Sequence, residues 1–249
     1  MRPVLSGVFW AFLTISSILL FPVALLVWAM TAPFDPRKRA LHQLTCFWAS
    51  LYTWLNPAWP VTIGGREKIA PETAYVMVAN HQSLLDIFIL FRLFNHFKWV
   101  SKIENFRIPF IGWNMRLNDY IPLKRGDKSS ILQMLRQCRE ALARGNSIMM
   151  FPEGTRSVNG RLRRFKDGAF EVAKESGVPI LPIVVTGTAN ALPKRGFVLR
   201  GRHSIHIQVL DAIPADSFAD ESVEDLTLRV RDLIATELEK AAPPPVLGP

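Results

Sequence analysis

The sequence predicts an α/β fold: a single domain on a mixed sheet flanked by helices, preceded by an apolar two-helix membrane anchor. Three observations predict it. No charged side chain occurs between Pro3 and Phe34, and a helix over residues 4–30 would measure about 40 Å, enough for a hydrocarbon core of about 30 Å. Beyond Pro60, short β-branched runs alternate with longer amphipathic ones, the pattern of strands and helices layered on one sheet. Two polar segments, 80–86 and 151–157, each follow an apolar run that reads as a buried strand, at the carboxyl edge where α/β folds gather ligands.

The anchor comes first in the chain. A second charge-free stretch, residues 40–65, is interrupted by Gln43, Thr45, Ser50, Thr53 and Asn56. It carries Trp48, Tyr52, Trp54 and Trp59, aromatics of the kind that sit at a bilayer interface, so it is expected to lie there rather than to span. Between the two stretches, Asp35-Pro36-Arg37-Lys38-Arg39 is a basic turn that the positive-inside tendency keeps cytoplasmic. Two full crossings would put that turn outside and are disfavoured. One crossing, or a hairpin dipping into one leaflet, leaves the following domain on the cytoplasmic side of the cell (inner) membrane. A cleaved signal peptide, with Ala29-Met30-Thr31-Ala32 near the cut, is disfavoured because the apolar run is too long and only Arg2 precedes it.

In the domain, residues 61–240, strands are predicted at 61–64, 75–79, 98–101, 120–123, 147–151, 180–186 and 204–210. Helices are predicted at 83–94, 129–143, 168–175 and 223–240. The helix from Ser129 sets Ile131, Leu132, Leu135, Cys138 and Leu142 on its packed side and ends at Gly145. Residues 241–249, with three consecutive prolines, read as a disordered tail.

Of 249 residues, 49% are apolar, and 30 Lys and Arg against 21 acids leave a net charge of +9. Such a surface attracts phospholipid headgroups, phosphorylated small molecules or nucleic acid. Nucleic acid would need a basic face with interleaved aromatics, whereas the tryptophans concentrate in the lipid-facing third, so no nucleic-acid partner is expected. Cys46 and Cys138 are the only cysteines; without a CxxC or a His/Cys cluster they exclude a disulfide framework and a zinc site. Both read as small buried hydrophobes in a reducing compartment.

The first polar segment is Asn80-His81-Gln82-Ser83-Leu84-Leu85-Asp86. On one helix, five positions at about 100° each would set His81 and Asp86 roughly 140° apart, so His81 belongs in the turn and Asp86 in the first helical turn. Asp86 then fixes one imidazole nitrogen and the other takes a proton from a hydroxyl. The bland alternative is a capping box in which Asp86 merely satisfies backbone amides after Ser83. Ser83 lacks a Gly-x-Ser-x-Gly elbow and is not read as a nucleophile. His42, His96, His203 and His206 have no carboxylate at a useful local spacing and receive no role.

The second segment, Phe151-Pro152-Glu153-Gly154-Thr155-Arg156-Ser157, breaks a buried strand at proline and opens into a glycine turn. Such a turn lets amides approach an anion, and Arg156 can grip a phosphate bidentately. Glu153 repels phosphate unless a cation such as Lys124 or Arg125 pairs with it. Arg161, Arg163, Arg164 and Lys166 either add to that phosphate-binding field or face anionic lipid, and the lipid-facing role is the favoured one.

Together these residues resemble the glycerol-phosphate acyltransferase superfamily, specifically the 1-acylglycerol-3-phosphate acyltransferases. Residues 80–86 match that family's NHxSxxD block and 151–157 its FPEGTRS block. Val178-Pro179-Ile180-Leu181-Pro182-Ile183 resembles its fourth block, and Lys102 with Glu104, Pro109 and Gly112 the segment between the first two. The chain departs at Ile121-Pro122-Leu123-Lys124-Arg125, where Lys124 replaces the family's acid and bears on acceptor identity.

The resemblance implies that His81 is the base and Asp86 its partner. It also implies that Lys102, Lys124, Arg125, Glu153, Gly154, Thr155 and Arg156 bind substrate, with no metal and no cofactor. The implied reaction moves an acyl group from acyl-CoA or acyl-carrier protein to lysophosphatidic acid among membrane phospholipids. Another lyso-lipid acceptor, or a non-catalytic lipid-binding protein, is the alternative.

Overall fold

Seven strands form one sheet in the computed structural model, which describes residues 2–157, 161–194 and 197–241. They are β1 (Val61–Gly64), β2 (Val76–Ala79), β3 (Phe97–Lys102), β4 (Ile121–Leu123), β5 (Ser147–Met150), β6 (Ile180–Thr186) and β7 (Ile205–Val209). Their order is β1-β7-β6-β2-β5-β3-β4, parallel throughout except for the β6–β7 pair, so the sheet is mixed. In this register Val78 lies opposite Met150 and Lys102 opposite Leu123. The chain therefore leaves β2, β5, β3 and β4 along one carboxyl edge, and both polar segments start from it side by side.

Eight α-helices occur among the described residues: α1 (Arg2–Thr31), α2 (Arg39–Trp54), α3 (Leu85–Leu90), α4 (Ile111–Leu117), α5 (Lys128–Ala143), α6 (Gly168–Ser176), α7 (Thr188–Ala191) and α8 (Val223–Ala241). The central strands are buried on both faces and alternate between two cores. Met77, Ala79, Met149 and Leu181 pack with α1, α2 and α3, while Val76, Val78, Ile148 and Met150 pack with α5, α6 and α8. Cys46 and Cys138 are fully buried, one in each core.

The predicted strands stand within a residue or so of the observed ones. The predicted helix 83–94 is a short α3 followed by a 3-10 turn at Phe91–Leu93, and α4 and α7 were not predicted. On α5 the buried stripe is Met134, Leu135, Cys138, Ala141 and Leu142, whereas Leu132 is 67% exposed and Ile131 is exposed too. Those two lie near the helix start, on the side turned away from the core. The end of α5 is as predicted: Gly145 at φ +78 donates to Leu142 O, and Asn146 donates to Ala141 O, a Schellman closure. The described part of α8 runs through Ala241, and the remainder of the predicted tail lies outside the described residues.

The second anchor stretch differs most from its reading. Trp48, Tyr52 and Trp59 are buried to 4% exposure or less, so they are core aromatics and not an interfacial belt; Trp54 alone of the four is exposed. The reason is the amphipathic stripe of α2, which faces the sheet. Tyr52 packs edge-on to Phe88, Trp59 to Phe9, and the Tyr52 hydroxyl takes the Trp48 Nε1–H at 2.6 Å. The same core continues across residue 60, so packing draws no boundary between anchor and domain there.

Helix α1 is the one described helix long and apolar enough to cross a membrane. Its side toward the domain carries small and polar residues, Ser6, Ser16, Ser17 and Ala24, together with Phe9, while Val4, Leu5, Val8, Ile15, Leu19, Leu26 and Met30 face outward. It docks lengthwise: Ser6 Oγ accepts from Leu199 N, Trp10 Nε1 donates to Phe197 O, and Phe21 packs on Trp113 of α4.

Candidate active site

β2 ends at Ala79, and Asn80 then imitates a strand residue with its side chain. Its Oδ1 accepts from Val185 N and its Nδ2 donates to Val185 O, so β6 stays paired while the backbone turns away. That turn carries His81. Its Nδ1 lies 2.8 Å from Asp86 Oδ2, and the same oxygen accepts from the amides of Gln82 and Ser83. The capping and pairing readings of Asp86 both hold, because one buried carboxylate oxygen closes the helix start and receives the imidazole. A carboxylate only accepts, so Nδ1 carries the hydrogen and Nε2 is left as a lone-pair base.

The second segment holds this group from below. Phe151 stacks on the imidazole at 3.9 Å between ring centres and 9° between planes, with Trp99 behind it at 5.2 Å. Glu153 Oε1 accepts from His81 N at 2.7 Å, and its Oε2 accepts from Arg163 N at 3.0 Å. Ser157 N donates to His81 O at 2.8 Å. Segments roughly seventy residues apart in sequence are thus stitched into one loop pair. Glu153 was expected to pair with Lys124 or Arg125; it takes two backbone amides instead, because the Gly154 turn at φ +68 sends it inward beneath His81. Burial pushes its carboxyl above the usual range, with the two amides opposing.

A cavity of about 450 Å³ opens at His81. Its lining takes in Trp10, Leu13, Trp48 and Tyr52 of the first two helices as well as Arg125 and Gly154. Lys102 lines it too, its Nζ 3.1 Å from Glu104. Burial holds Arg125 below its usual value, with Glu104 opposing and the like charge of Arg156 adding to the effect. Thr155 and Arg156 are on the turn outside the cavity wall, and Lys124 points away to Asp127 at 3.1 Å.

The sequence reading did not anticipate Phe151 and Trp99 as the backing of the imidazole, Asn80 as a strand mimic, or the share of α1 and α2 in the cavity wall. The strand-end position of Asn80 was a usable signal. The stacking was not readable, since it joins residues from three strands.

Comparison with known proteins bears on the same residues. A family model described as Acyltransferase matches residues 60–186, a stretch that includes both polar segments. Over 241 residues, 96% of this chain and 69% of that protein, the chain is 38% identical to a 1-acyl-sn-glycerol-3-phosphate acyltransferase of Chlamydomonas reinhardtii. Over 192 residues, 76% of this chain, it is 41% identical to a chloroplastic 1-acyl-sn-glycerol-3-phosphate acyltransferase of Arabidopsis thaliana, and it spans about half (51%) of that protein's length. The fold is shared with the crystal structure of a 1-acyl-sn-glycerophosphate (LPA) acyltransferase from Thermotoga maritima, with a TM-score of 0.77 over 97% of this chain and 98% of the other at 22% identity. With a family match that takes in His81, Asp86 and the loop that supports them, this chain belongs to the acyltransferase family.

Proposed function

We propose that the protein transfers a fatty acyl group from a thioester to the free hydroxyl of lysophosphatidic acid, forming phosphatidic acid. The observation that carries this reading is the Asp86–His81 pair, which stands at a mainly apolar cavity that Arg125 also lines. Nε2 removes the proton of the acceptor hydroxyl as its oxygen attacks the thioester carbonyl, and Asp86 stabilises the imidazolium. The tetrahedral intermediate then expels the thiolate; a thiol of reference pKa about 8.5 leaves with little acid assistance, and the imidazolium returns the proton. No acyl-enzyme forms.

Acyl-CoA and acyl-carrier protein are both suitable donors, since each presents a thioester at the end of a long arm. Arg125 and Arg156 hold the acceptor phosphate, with Lys102, Gly154 and Thr155 around it. Glu153 supports the site by fixing the His81 backbone, and Lys124, paired with Asp127, is a secondary contact at most. Contact of α1 with the domain from Ser6 to Phe21 favours a helix lying in one leaflet over a crossing, with the domain on the cytoplasmic face.

The test is purified protein in mixed micelles with a panel of lyso-lipid acceptors and both thioester donors. Lysophosphatidic acid is expected to be the preferred acceptor, and His81→Ala to lower kcat by about 10²–10⁴-fold with the thermal midpoint unchanged. Preference for an acceptor without a phosphate monoester, or an undiminished alanine variant, would sink the reading. Radiolabel retained on protein after incubation with donor alone would overturn direct attack.

A further inference from the structure

We infer that Lys166 is a third cation of the acceptor-phosphate site, acting with Arg125 and Arg156; the inference rests on the phosphate-bearing acceptor proposed above. The sequence pattern groups Lys166 with Arg161, Arg163 and Arg164, four residues that face lipid or add to the phosphate-binding field, and does not tell them apart. Lys166 shares a second pocket with Arg163 and Arg164, but it alone of the four also lines the cavity that holds His81.

Its place there is built. Lys166 N donates to Pro152 O at 2.9 Å, Arg163 N donates to Glu153 Oε2, and the buried Phe165 between them stacks on Phe170. The backbone from 163 to 166 is thereby strapped under the glycine turn. The lysine stem crosses Gly154, where a Cβ would come within 3.0 Å of Lys166 Cε. A side chain at 154 would push the stem aside, so this glycine leaves room for the ammonium arm as well as permitting the positive φ.

Charge pairing points the same way. Lys102 is matched by Glu104 and Lys124 by Asp127, and both oxygens of Glu153, the carboxylate nearest in sequence to the turn, are filled by amides. Lys166 forms no ion pair among the described residues. A flexible ammonium without an ion pair, lining the same cavity as Arg125 and crossing the glycine turn that carries Arg156, is arranged for a multiply charged anion, and a phosphate monoester has oxygens for all three.

The experiment measures kcat and KM for lysophosphatidate at saturating donor, and inhibition by glycerol 3-phosphate as a headgroup probe. Lys166→Met is expected to raise the lysophosphatidate KM by about tenfold or more and to weaken glycerol 3-phosphate inhibition alike, the loss of one charge-assisted contact. The donor KM should stay within about twofold, and Lys166→Arg should recover most of the loss. Matched melting curves for Lys166→Met and Lys166→Gln exclude misfolding. An unchanged lysophosphatidate KM in a wild-type background that uses this acceptor would overturn Lys166 alone, as would a rise confined to the donor KM. Wild-type enzyme that ignores lysophosphatidate would overturn the acceptor reading and this inference with it.

Discussion

At the scale of single residues, the site depends on carboxylates used as fixed acceptors. Asp86 collects an imidazole and two amides, and Glu153 collects two more amides, one of them from His81 itself. Glu153 thus ties the two polar segments together, beside the Ser157–His81 backbone hydrogen bond and the Phe151 stack, and burial costs it acidity. Glu153→Gln keeps one carbonyl acceptor but turns an NH₂ group toward a buried N–H. Chemical denaturation is expected to show a loss of about 1–3 kcal/mol, together with reduced turnover as the imidazole loosens. Unaltered stability would show that the carboxylate does not brace the loop pair. The residue types at 80–86 and 151–157 were legible from sequence, and so was the placing of His81 in a turn. That Glu153 reaches the His81 backbone was not, because a hydrogen bond over 72 residues has no local signature.

At the scale of elements, α2 is docked by a buried polar contact as well as by its apolar stripe. His42 is fully buried, with Nδ1 2.9 Å from the Tyr120 hydroxyl and Nε2 2.9 Å from Asn95 O; His96 stands edge-on to it and meets Asn146 Oδ1. Burial holds His42 well below the usual imidazole range and lowers His96 to about 4, with Lys98 adding to both effects. Because the folded values lie below the unfolded one near 6.5, the unfolded chain binds protons first as pH falls. Stability is therefore expected to be lost between about pH 6.5 and 4, with His96 contributing up to about 3 kcal/mol. Denaturation midpoints taken across that window check this; a flat profile, or one unaffected by His96→Asn, would count against it. Sequence assigned these histidines no role because their partners lie on other elements.

At the scale of the whole molecule, the first helix turns an apolar side outward along its length while its small residues meet the domain. Water makes that arrangement unfavourable and lipid makes it favourable, so α1 and the neighbouring exposed Trp113 should enter the bilayer together, while Trp59 stays in the protein core. In single-tryptophan variants bound to vesicles of brominated lipid, Trp113 fluorescence is expected to be quenched and Trp59 fluorescence preserved; equal quenching of the two would refute this seating. The sequence by itself determined the strands, the mixed α/β layer and the residue types of the site, because strand periodicity, glycine turns and short polar blocks are local properties. Only the tertiary structure decided that α2 is core, that Glu153 serves the backbone of His81, and that Lys166 joins the cavity while its basic neighbours do not. Each of those depends on which surfaces meet across the sheet, and burial set by distant partners leaves no periodic trace in a single chain.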